Sequence, residues 1–265
     1  MRLAMEADKE KVLSFLEKDL GNCVYLYLDV KKYGLECNHI TVWINDDTVL
    51  HTVVMRYYDS IQIYAKIQEA DIEGIYECIC RENVQMISGQ KEVMDKLMEY
   101  QDIPCMYDSK DGYVFLYEDY REFVIEGIER ATEKECAEIA HLICMDQNFK
   151  ENYDESNLAE QLANRIRTGM GRSYIIRKDG MIIAHIATYA EDMGIAVASG
   201  LIVHPEYRNY LYGVIMESHL VNALKREGFK IYTMVNEEQR ADLLRDMGNY
   251  ECGKYMKLVQ KSNKK

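Results

Sequence analysis

The chain has 265 residues, 48% of them hydrophobic, which is enough to build one large domain or two ordinary ones and excludes intrinsic disorder. Its net charge of -13 excludes non-specific binding to nucleic acid or to an anionic membrane, because both need a basic face. Through Glu118 the chain carries 12 basic and 22 acidic residues, so most of the excess negative charge lies in the first half. The second half is therefore the better host for a polyanionic ligand.

Nothing in the sequence indicates secretion or a membrane. Residues 1–19 alternate charged and apolar side chains without an apolar core, and no stretch approaches the roughly 18 uncharged apolar residues of a membrane-spanning helix. We therefore expect a cytoplasmic protein. The eight cysteines include no CxxC pair, and in a reducing compartment we expect them to be small apolar residues, with neither metal nor disulfide.

The first half alternates helical and extended patterns. Apolar residues at helical spacing predict helices, and runs rich in Val, Ile, Thr and aromatic residues predict strands. The predicted helices are Asp8 to Leu20, Asn22 to Lys32, Asp71 to Arg81 and Gln90 to Tyr100. The predicted strands are His39 to Ile44, Thr48 to Tyr57, Gln62 to Tyr64, Val84 to Ile87 and Gly112 to Tyr117. Between the last helix and the last strand, Asp102 to Lys110 is expected to be a loop.

The second half repeats this order. Its predicted strands are Phe123 to Ile128, Ser173 to Arg177, Met181 to Tyr189, Ile195 to Val203, Lys230 to Val235 and Tyr250 to Val259. Its predicted helices are Lys134 to Met145, Glu155 to Arg167, a helix that carries Leu211 to Leu224, and Glu238 to Met247. Two helices, three strands, then helix, strand and helix occur in both halves. The repeat predicts two domains of one architecture.

The stretch from Ala196 to Gly228 carries the clearest functional signal. Ala196 to Val203 is an uncharged run typical of a strand covered on both faces, and Pro205 ends it. An amphipathic helix follows and stops at Gly228. The turn between strand and helix places Arg208 beside a helix N-terminus, where free backbone N–H groups and the helix dipole favour an anion. A pyrophosphate fits there; a solvated arginine in a plain turn is the alternative.

This stretch resembles motif A of the GNAT acetyltransferases, in which a strand, a V-x-P-x-x-R-x-x-G-x-G turn and a helix bind the pyrophosphate of acetyl-CoA. Val203, Pro205, Arg208 and Gly213 match that pattern, whereas Leu211 stands where the family usually has its first glycine. The resemblance implies that the main chain around Leu201 to Val203 splays from its neighbouring strand to receive pantetheine. The cofactor-binding residues that it implies are Leu201, Ile202, Val203, Arg208, Asn209, Tyr210, Leu211, Tyr212 and Gly213.

The order of elements is also similar to the GNAT fold, and two copies resemble the tandem members of that family. We expect an α/β (α+β) protein with two GNAT-like domains, each a mixed, mostly antiparallel sheet flanked by helices, at residues 1–118 and 119–265. In the first copy, the segment from Ala65 to Asp71 lacks the glycines and the arginine of motif A, and Glu69 and Asp71 would repel a pyrophosphate. The first copy is therefore expected to be degenerate, and either structural or part of the acceptor site.

The groups for proton transfer are less clearly indicated. Glu191 and Asp192 in a hairpin turn and His185 in mid-strand are candidates for the base; solvated turn residues, a satisfied buried histidine and a water chain are the alternatives. The family's thiolate-protonating tyrosine falls at Leu244, and leucine cannot donate a proton. Tyr250 is the nearest aromatic hydroxyl in sequence and the candidate acid, with a core aromatic residue as the alternative. No metal is expected.

The sequence therefore predicts an N-acetyltransferase that moves the acetyl group of acetyl-CoA directly to an amine of a small molecule or peptide. The first alternative is a degenerate GNAT protein that binds acyl-CoA without efficient catalysis, which Leu211 and Leu244 favour. The second is an aminoacyl transferase that uses charged tRNA, against which the acidic N-terminal half argues. We expect neither a nucleic acid nor a membrane as partner, and the oligomeric state stays open, a homodimer included.

Overall fold

The two ends of the chain belong to one structural unit. The computed structural model describes residues 1–38, 40–47, 49–82, 84–118, 126–146, 154–208 and 210–261. Its first unit comprises Met1–Phe115 and Met234–Lys265, and its second comprises Leu116–Thr233. This division differs from the predicted one, in which residues 119–265 form a single domain. The physical reason is that the last strand pairs antiparallel with Met86–Gln90, a contact between residues far apart in sequence.

The strands agree in order with the sequence analysis, apart from one additional short strand at the start. They are β1 (Arg2–Leu3), β2 (Ile40–Asn45), β3 (Thr52–Tyr57), β4 (Ser60–Ala65), β5 (Met86–Gln90), β6 (Tyr107–Leu116), β7 (Ile128–Arg130), β8 (Ser173–Lys178), β9 (Met181–Asp192), β10 (Ile195–Val203), β11 (Lys230–Val235) and β12 (Tyr250–Gln260).

The helices, numbered here in chain order over the described residues, flank these strands. They are α1 (Lys9–Leu16), α2 (Leu20–Tyr33), α3 (Ile72–Glu82), α4 (Lys91–Leu97), α5 (Asp102–Met106), α6 (Cys136–Cys144), α7 (Glu155–Arg167), α8 (Tyr212–Arg226) and α9 (Glu238–Asp246).

Each unit has mixed strand pairing that includes a parallel pair. The first unit orders its strands β1-β2-β3-β4-β5-β12-β6, and the second orders its strands β7-β8-β9-β10-β11. Strands joined by short turns are antiparallel, as in β2-β3-β4 and β8-β9-β10. The parallel pairs are β4 with β5 and β10 with β11, and a helix links the two strands in each. The predicted fold class, a mostly antiparallel mixed sheet flanked by helices in each unit, is confirmed.

Each sheet packs on its helices through a separate apolar core. In the first unit Trp43, Ile61 and Met94 belong to a cluster with fully buried residues of α3 and β12. In the second unit Ile139 and Leu162 bring α6 and α7 onto the sheet. The apolar stripes that predicted these helices are the faces that the structure buries, which is why their existence could be read from the sequence.

One predicted loop is wrong. Asp102 to Lys110 contains the helix α5 and the first residues of β6. Pro104 does not prevent the helix, because it lies in the first turn, where its missing N–H has no helical partner to lose. Tyr107 then enters the core and donates its hydroxyl to the carbonyl of Val84 at 2.8 Å, which fixes the start of the strand.

Two other boundaries also differ from the prediction. The break between the first two helices was expected at Gly21, but α2 already begins at Leu20 and is kinked at Cys23, whose φ of -147° is not helical. The predicted strand from Phe123 to Ile128 lies largely outside the described residues; the observed strand is Ile128–Arg130. Within the part of the chain that the structure describes, no helix is both long and apolar enough to cross a bilayer.

Candidate functional site

The parallel pair β10 and β11 opens partway along its length. Among the described residues, Ile195–Ala198 of β10 pairs with Lys230–Thr233 of β11, and the pairing ends there although β10 continues to Val203. On its other side β10 remains paired with β9 as far as Val203. The backbone of residues 201–203 therefore has a strand neighbour on one side only, as the predicted splay requires.

A bulge marks the point where the two strands part. The register of β10 against β9 shifts between Ser199 and Ile202, and Gly200 adopts a φ of +66°, which suits glycine. A Cβ added at Gly200 would lie 2.8 Å from the hydroxyl oxygen of Tyr189. Glycine is thus required here both by backbone conformation and by the close approach of Tyr189.

His185 holds this bulge from inside the sheet. Its side chain is fully buried, and Nδ1 lies 2.8 Å from the carbonyl oxygen of Gly200. Because a carbonyl only accepts, Nδ1 carries the proton and Nε2 accepts from the hydroxyl of Ser173 at 3.2 Å. Burial lowers the pKa of His185 to about 4, against the opposing effect of the Gly200 hydrogen bond. The geometry favours the satisfied buried histidine over the base.

The turn after β10 leads directly into α8. Residues Pro205–Tyr207 form a single 3-10 turn, and α8 begins at Tyr212 with Leu211 as the residue before it. No side chain of the described residues caps this helix, and its first turn contains no acidic residue. Leu211 has a φ of -70°, so this position does not need glycine. Asn209, one of the predicted cofactor-binding residues, lies outside the described residues.

Arg208 is anchored beside the start of α8. Its Nε donates to the carbonyl of Val203 at 3.1 Å, and its Nη2 lies 2.8 Å from Oδ2 of Asp146, which follows α6. Nη1 has no hydrogen-bond partner among the described residues, and 47% of the side chain is exposed. Beyond the turn, a Cβ added at Gly213 would meet only Val203, at 3.8 Å. The guanidinium thus stands next to open backbone at the helix start.

The corresponding helix of the first unit is closed by its own carboxylate. Asp71 precedes α3 and accepts a hydrogen bond from the backbone N–H of Gly74 at 2.9 Å. Its other oxygen accepts from the side-chain amide of Asn45 at 2.7 Å. Partial burial acts to raise the pKa of Asp71, but these hydrogen bonds hold it below its ordinary value. A ligand anion at the start of α3 would have to displace the carboxylate of Asp71.

The parallel strands of the first unit are closed as well. Pairing of β4 with β5 ends at Ile63 and Gly89, the same relative place as in the second unit. There the buried side chain of Gln90 accepts a hydrogen bond from the backbone N–H of Ala65 at 2.9 Å. A side chain thus satisfies the backbone donor that a splayed strand would expose. This backbone donor is therefore closed, although a pocket lined by Ile63, Ser88 and Gly89 adjoins the same strand ends.

Glu191 is buried in an ion pair, not solvated in a turn. Nε and Nη2 of Arg172 bind its two oxygens at 2.9 and 2.8 Å, and both side chains are 8% exposed. The hydroxyl of Thr188 donates to the same carboxylate, and Arg172 also binds Glu227 at 2.6 Å. Glu227 and Glu191 together hold the pKa of Arg172 above its ordinary value, although burial opposes them. The sequence analysis missed Arg172, which lies between a predicted helix and a predicted strand without a distinguishing motif.

The remaining catalytic candidate lies in the first unit. Tyr250 opens β12 and is 60% exposed, so the alternative of a core aromatic residue does not hold. Leu244 on α9 is fully buried, so a tyrosine at that position would not fit without repacking. In the second unit a polar pair was also missed: the buried hydroxyl of Tyr117 donates to the buried carboxylate of Glu217 on α8. Among the described residues, no three His, Cys, Asp or Glu side chains are grouped to hold a metal ion.

Part of the chain matches a protein-family model. Residues 134–249 match the model of the acetyltransferase (GNAT) family. No curated protein matches the sequence significantly. A Drosophila protein of known structure has a TM-score of 0.72 to this chain at 13% identity, covering 99% of this chain and 98% of its own.

Other solved structures share the fold over its whole length. A GCN5-related N-acetyltransferase from Sphaerobacter thermophilus has a TM-score of 0.63 at 13% identity and covers 98% of this chain and 94% of its own. A tandem GNAT protein from the clavulanic acid biosynthesis pathway has a TM-score of 0.59 at 10% identity, with 97% of each chain covered. At these identities the structures establish the fold, with two GNAT-like domains.

Proposed function

Because residues 134–249 match the acetyltransferase (GNAT) family and the whole chain shares the fold of a tandem GNAT protein, we propose that its second unit binds acetyl-CoA and that the protein transfers the acetyl group to an amine of a small molecule or peptide. The fold supports acyl transfer in general. The choice of acetyl-CoA as donor and of an amine as acceptor is the proposal.

The observation that carries the proposal is the contrast between the two corresponding helix starts. In the first unit Asp71 occupies the N-terminus of α3 with its own carboxylate. In the second unit the N-terminus of α8 has no side-chain cap among the described residues, and Arg208 stands beside it. A helix N-terminus with an adjacent guanidinium attracts a phosphate through directed N–H groups and charge. This contrast favours the second unit as the anion site, although Asp146 already pairs with Nη2 of Arg208.

The residues present fit the two ends of the cofactor. The turn from Arg208 to Gly213 would hold the pyrophosphate, and the open space at Gly213 would let the backbone approach it. The unpaired edge of β10 at Leu201, Ile202 and Val203 would hydrogen-bond the pantetheine. Acetyl-CoA supplies an activated acyl group when bound. The chain contributes fixed backbone donors at the place where negative charge develops on an acyl oxygen, which is an effective form of electrostatic stabilisation.

We assign the groups for proton transfer from the exposure of the candidate side chains. His185 is fully buried with both ring nitrogens engaged, and Glu191 is held by Arg172, so we propose that both residues maintain the architecture of the site. Tyr250 exposes its hydroxyl in the first unit and stays a predicted proton donor. Water takes the place of a side-chain base in this scheme. Tyr250→Phe should then lower kcat with little change in acetyl-CoA affinity, because proton donation contributes only as the carbon–sulfur bond breaks.

The proposal is tested by binding and transfer in one preparation. Calorimetric titration of the full-length chain with acetyl-CoA should give saturable binding, and mass spectrometry of a panel of amines should show an increase of one acetyl group in at least one of them. Thiol release without an acetylated amine would indicate hydrolysis. Binding without either product would support the binding-protein alternative, and absence of binding would contradict the proposal.

A further inference from the structure

The second unit contains a half-buried guanidinium, that of Arg165, without an acidic partner among the described residues. Nη1 of Arg165, on the last turn of α7, is buried and has no hydrogen-bond partner among the described residues. Its neighbours do not share this feature: Arg167, two residues along, binds Glu133 at 2.8 Å, and Arg172 binds Glu191 at 2.8 Å. Buried guanidinium N–H groups are normally satisfied, so an unsatisfied one needs an explanation.

The position of Arg165 connects this unsatisfied donor to the open part of β10. The guanidinium carbon lies 4.3 Å from the centroid of the Tyr189 ring, which stabilises the charge but offers no oxygen acceptor. The hydroxyl of Tyr189 in turn reaches the bulge, because a Cβ on Gly200 would lie only 2.8 Å from it. Tyr189 also packs against the apolar cluster that contains Ile202. The contacts run from α7 through Tyr189 to the bulge.

These contacts lie on the opposite side of the bulge from the phosphate-binding turn. Along β10 the order is Gly200, then the donor segment 201–203, then the turn at 204–213. A thioester held by the donor segment would therefore have the turn on one side and Arg165 on the other. A group that reached Arg165 would then come from the acceptor, and the natural partner of a fork of guanidinium donors is a carboxylate.

We propose that the amine acceptor carries a carboxylate and that Arg165 binds it beside Tyr189. This inference rests on the proposed function and narrows its acceptor to amino acids and related amines with a free carboxylate. Arg165 then selects the acceptor without taking part in the chemistry. A carboxylate in this place would pair with the accessible part of a guanidinium that has no ion pair among the described residues.

The experiment compares each of the twenty amino acids with its matched amide, in the full-length chain with acetyl-CoA. The amino acid should be acetylated at a higher kcat/KM than its amide, which differs only in charge. Arg165→Gln keeps a hydrogen-bonding side chain but removes the charge, and it should raise KM for the acid about ten- to a hundredfold, as loss of charge-assisted hydrogen bonds predicts. It should leave KM for the amide and the Kd of acetyl-CoA unchanged.

Arg167→Gln is the matched control, because it removes the same charge from the same helix end, where Glu133 already satisfies it. It should leave the ratio of acid to amide at the wild-type value. A purely structural role for Arg165 would change acid and amide equally and would overturn the inference. The inference would also be overturned if the wild-type chain acetylates acids and amides alike. A preference for succinyl-CoA over acetyl-CoA that disappears in Arg165→Gln would overturn it too, because Arg165 would then bind the acyl donor and not the acceptor.

Failure of the proposed function gives a different result. Acetyl-CoA affinity is measured in the same preparation, so a chain that binds it but ignores the carboxylate loses only the inference about Arg165. If acetyl-CoA does not bind, direct calorimetric titration with the same acids and amides still decides the role of Arg165. Acids that bind wild type more tightly than Arg165→Gln support it, and equal binding contradicts it.

Discussion

Nε of Arg172 lies 2.9 Å from Oε1 of Glu191, and its Nη2 lies 2.8 Å from Oε2, in a bidentate pair that is 8% exposed on both sides. This pair joins the loop before β8 to the end of β9 and leaves the carboxylate no role as a base. The first three predictions concern Glu191, His185 and Gly200, whose contacts maintain the structure of the second unit around its proposed site.

Glu191→Gln should destabilise the protein and leave acetyl-CoA affinity unchanged. The substitution removes one charge of a buried pair, and such breaks cost about 3–5 kcal/mol when the remaining charge is uncompensated. Glu227 also binds Arg172, so we expect a smaller loss of about 1–3 kcal/mol. Urea denaturation measures the stability and calorimetry measures the affinity.

Glu227→Gln is the control, since that carboxylate is 48% exposed and its loss should cost at most about 1 kcal/mol. If Glu191→Gln instead kept full stability and abolished transfer, Glu191 would be the catalytic base after all.

His185 should make the stability of the protein depend on pH. Its folded pKa of about 4 lies below the ordinary value of 6.5, so the unfolded chain binds more protons between these two values. Stability is therefore complete above about pH 6.5 and is lost as the pH falls towards 4. From this group alone the loss between pH 6.5 and pH 5 should be about 2 kcal/mol.

His185→Gln removes the titration while keeping a hydrogen-bond donor for Gly200. Urea denaturation of both proteins at pH 7, 6 and 5 should show a steeper decline in wild type than in the variant, whatever their difference at pH 7. Parallel declines would mean that His185 is not the group that is held neutral.

Gly200→Ala should impair both stability and binding. An alanine there must adopt a φ of +66° and approach the Tyr189 hydroxyl to 2.8 Å, so the bulge would have to shift. The left-handed conformation alone costs about 1–2 kcal/mol, and the close contact adds to it. Because the shifted segment carries the proposed cofactor donors, acetyl-CoA should bind more weakly.

Gly169 offers a matched control with nearly the same backbone. Its φ is +68° and nothing lies within 4 Å of an added Cβ, so Gly169→Ala should show the conformational cost alone and normal acetyl-CoA binding. Equal effects of the two substitutions on affinity would show that the bulge has no part in the site.

The chain should bind one acetyl-CoA, not two. In the first unit Asp71 fills the start of α3 and Gln90 satisfies the backbone of Ala65, so these two places hold no free donor for a phosphate or for pantetheine. Calorimetry should give a stoichiometry near one. Asp71→Ala removes a helix cap and should cost about 1 kcal/mol of stability without creating a second site. A stoichiometry of two would contradict the assignment of the halves.

Local patterns allowed much of the fold to be predicted. The strand β10, the turn at Pro205 and the helix α8 were each predicted from apolar periodicity and turn-forming residues within about thirty residues. The structure contains all three. The same reasoning placed Tyr107 in a loop, because the burial that makes it a strand residue comes from contact with Val84. The exchange of residues 234–265 into the first unit depends on strand pairing over a long sequence distance and leaves no local signal.

The site was predicted less evenly than the fold. Arg208 and its turn carry a motif, so their place at the start of α8 could be anticipated. Arg165 and Arg172 carry none: each is one arginine among many, and only burial and the presence or absence of a partner distinguish them. His185 could be named from the sequence, but whether it acts as a base or supports a bulge depends on Gly200 and Ser173, which only the folded sheet brings to it.

The central claim is that the turn from Arg208 to Gly213 holds the pyrophosphate of acetyl-CoA, and calorimetric titration of Arg208→Ala tests it most directly. Loss of charge-assisted hydrogen bonds worth about 1.5–3 kcal/mol each should weaken binding roughly ten- to a hundredfold. Arg167→Ala, which removes an ion-paired arginine of the same unit, should bind as wild type does. Gly213→Glu should weaken binding further, because a carboxylate would stand where the phosphates approach. Unchanged affinity in both Arg208→Ala and Gly213→Glu would contradict the account.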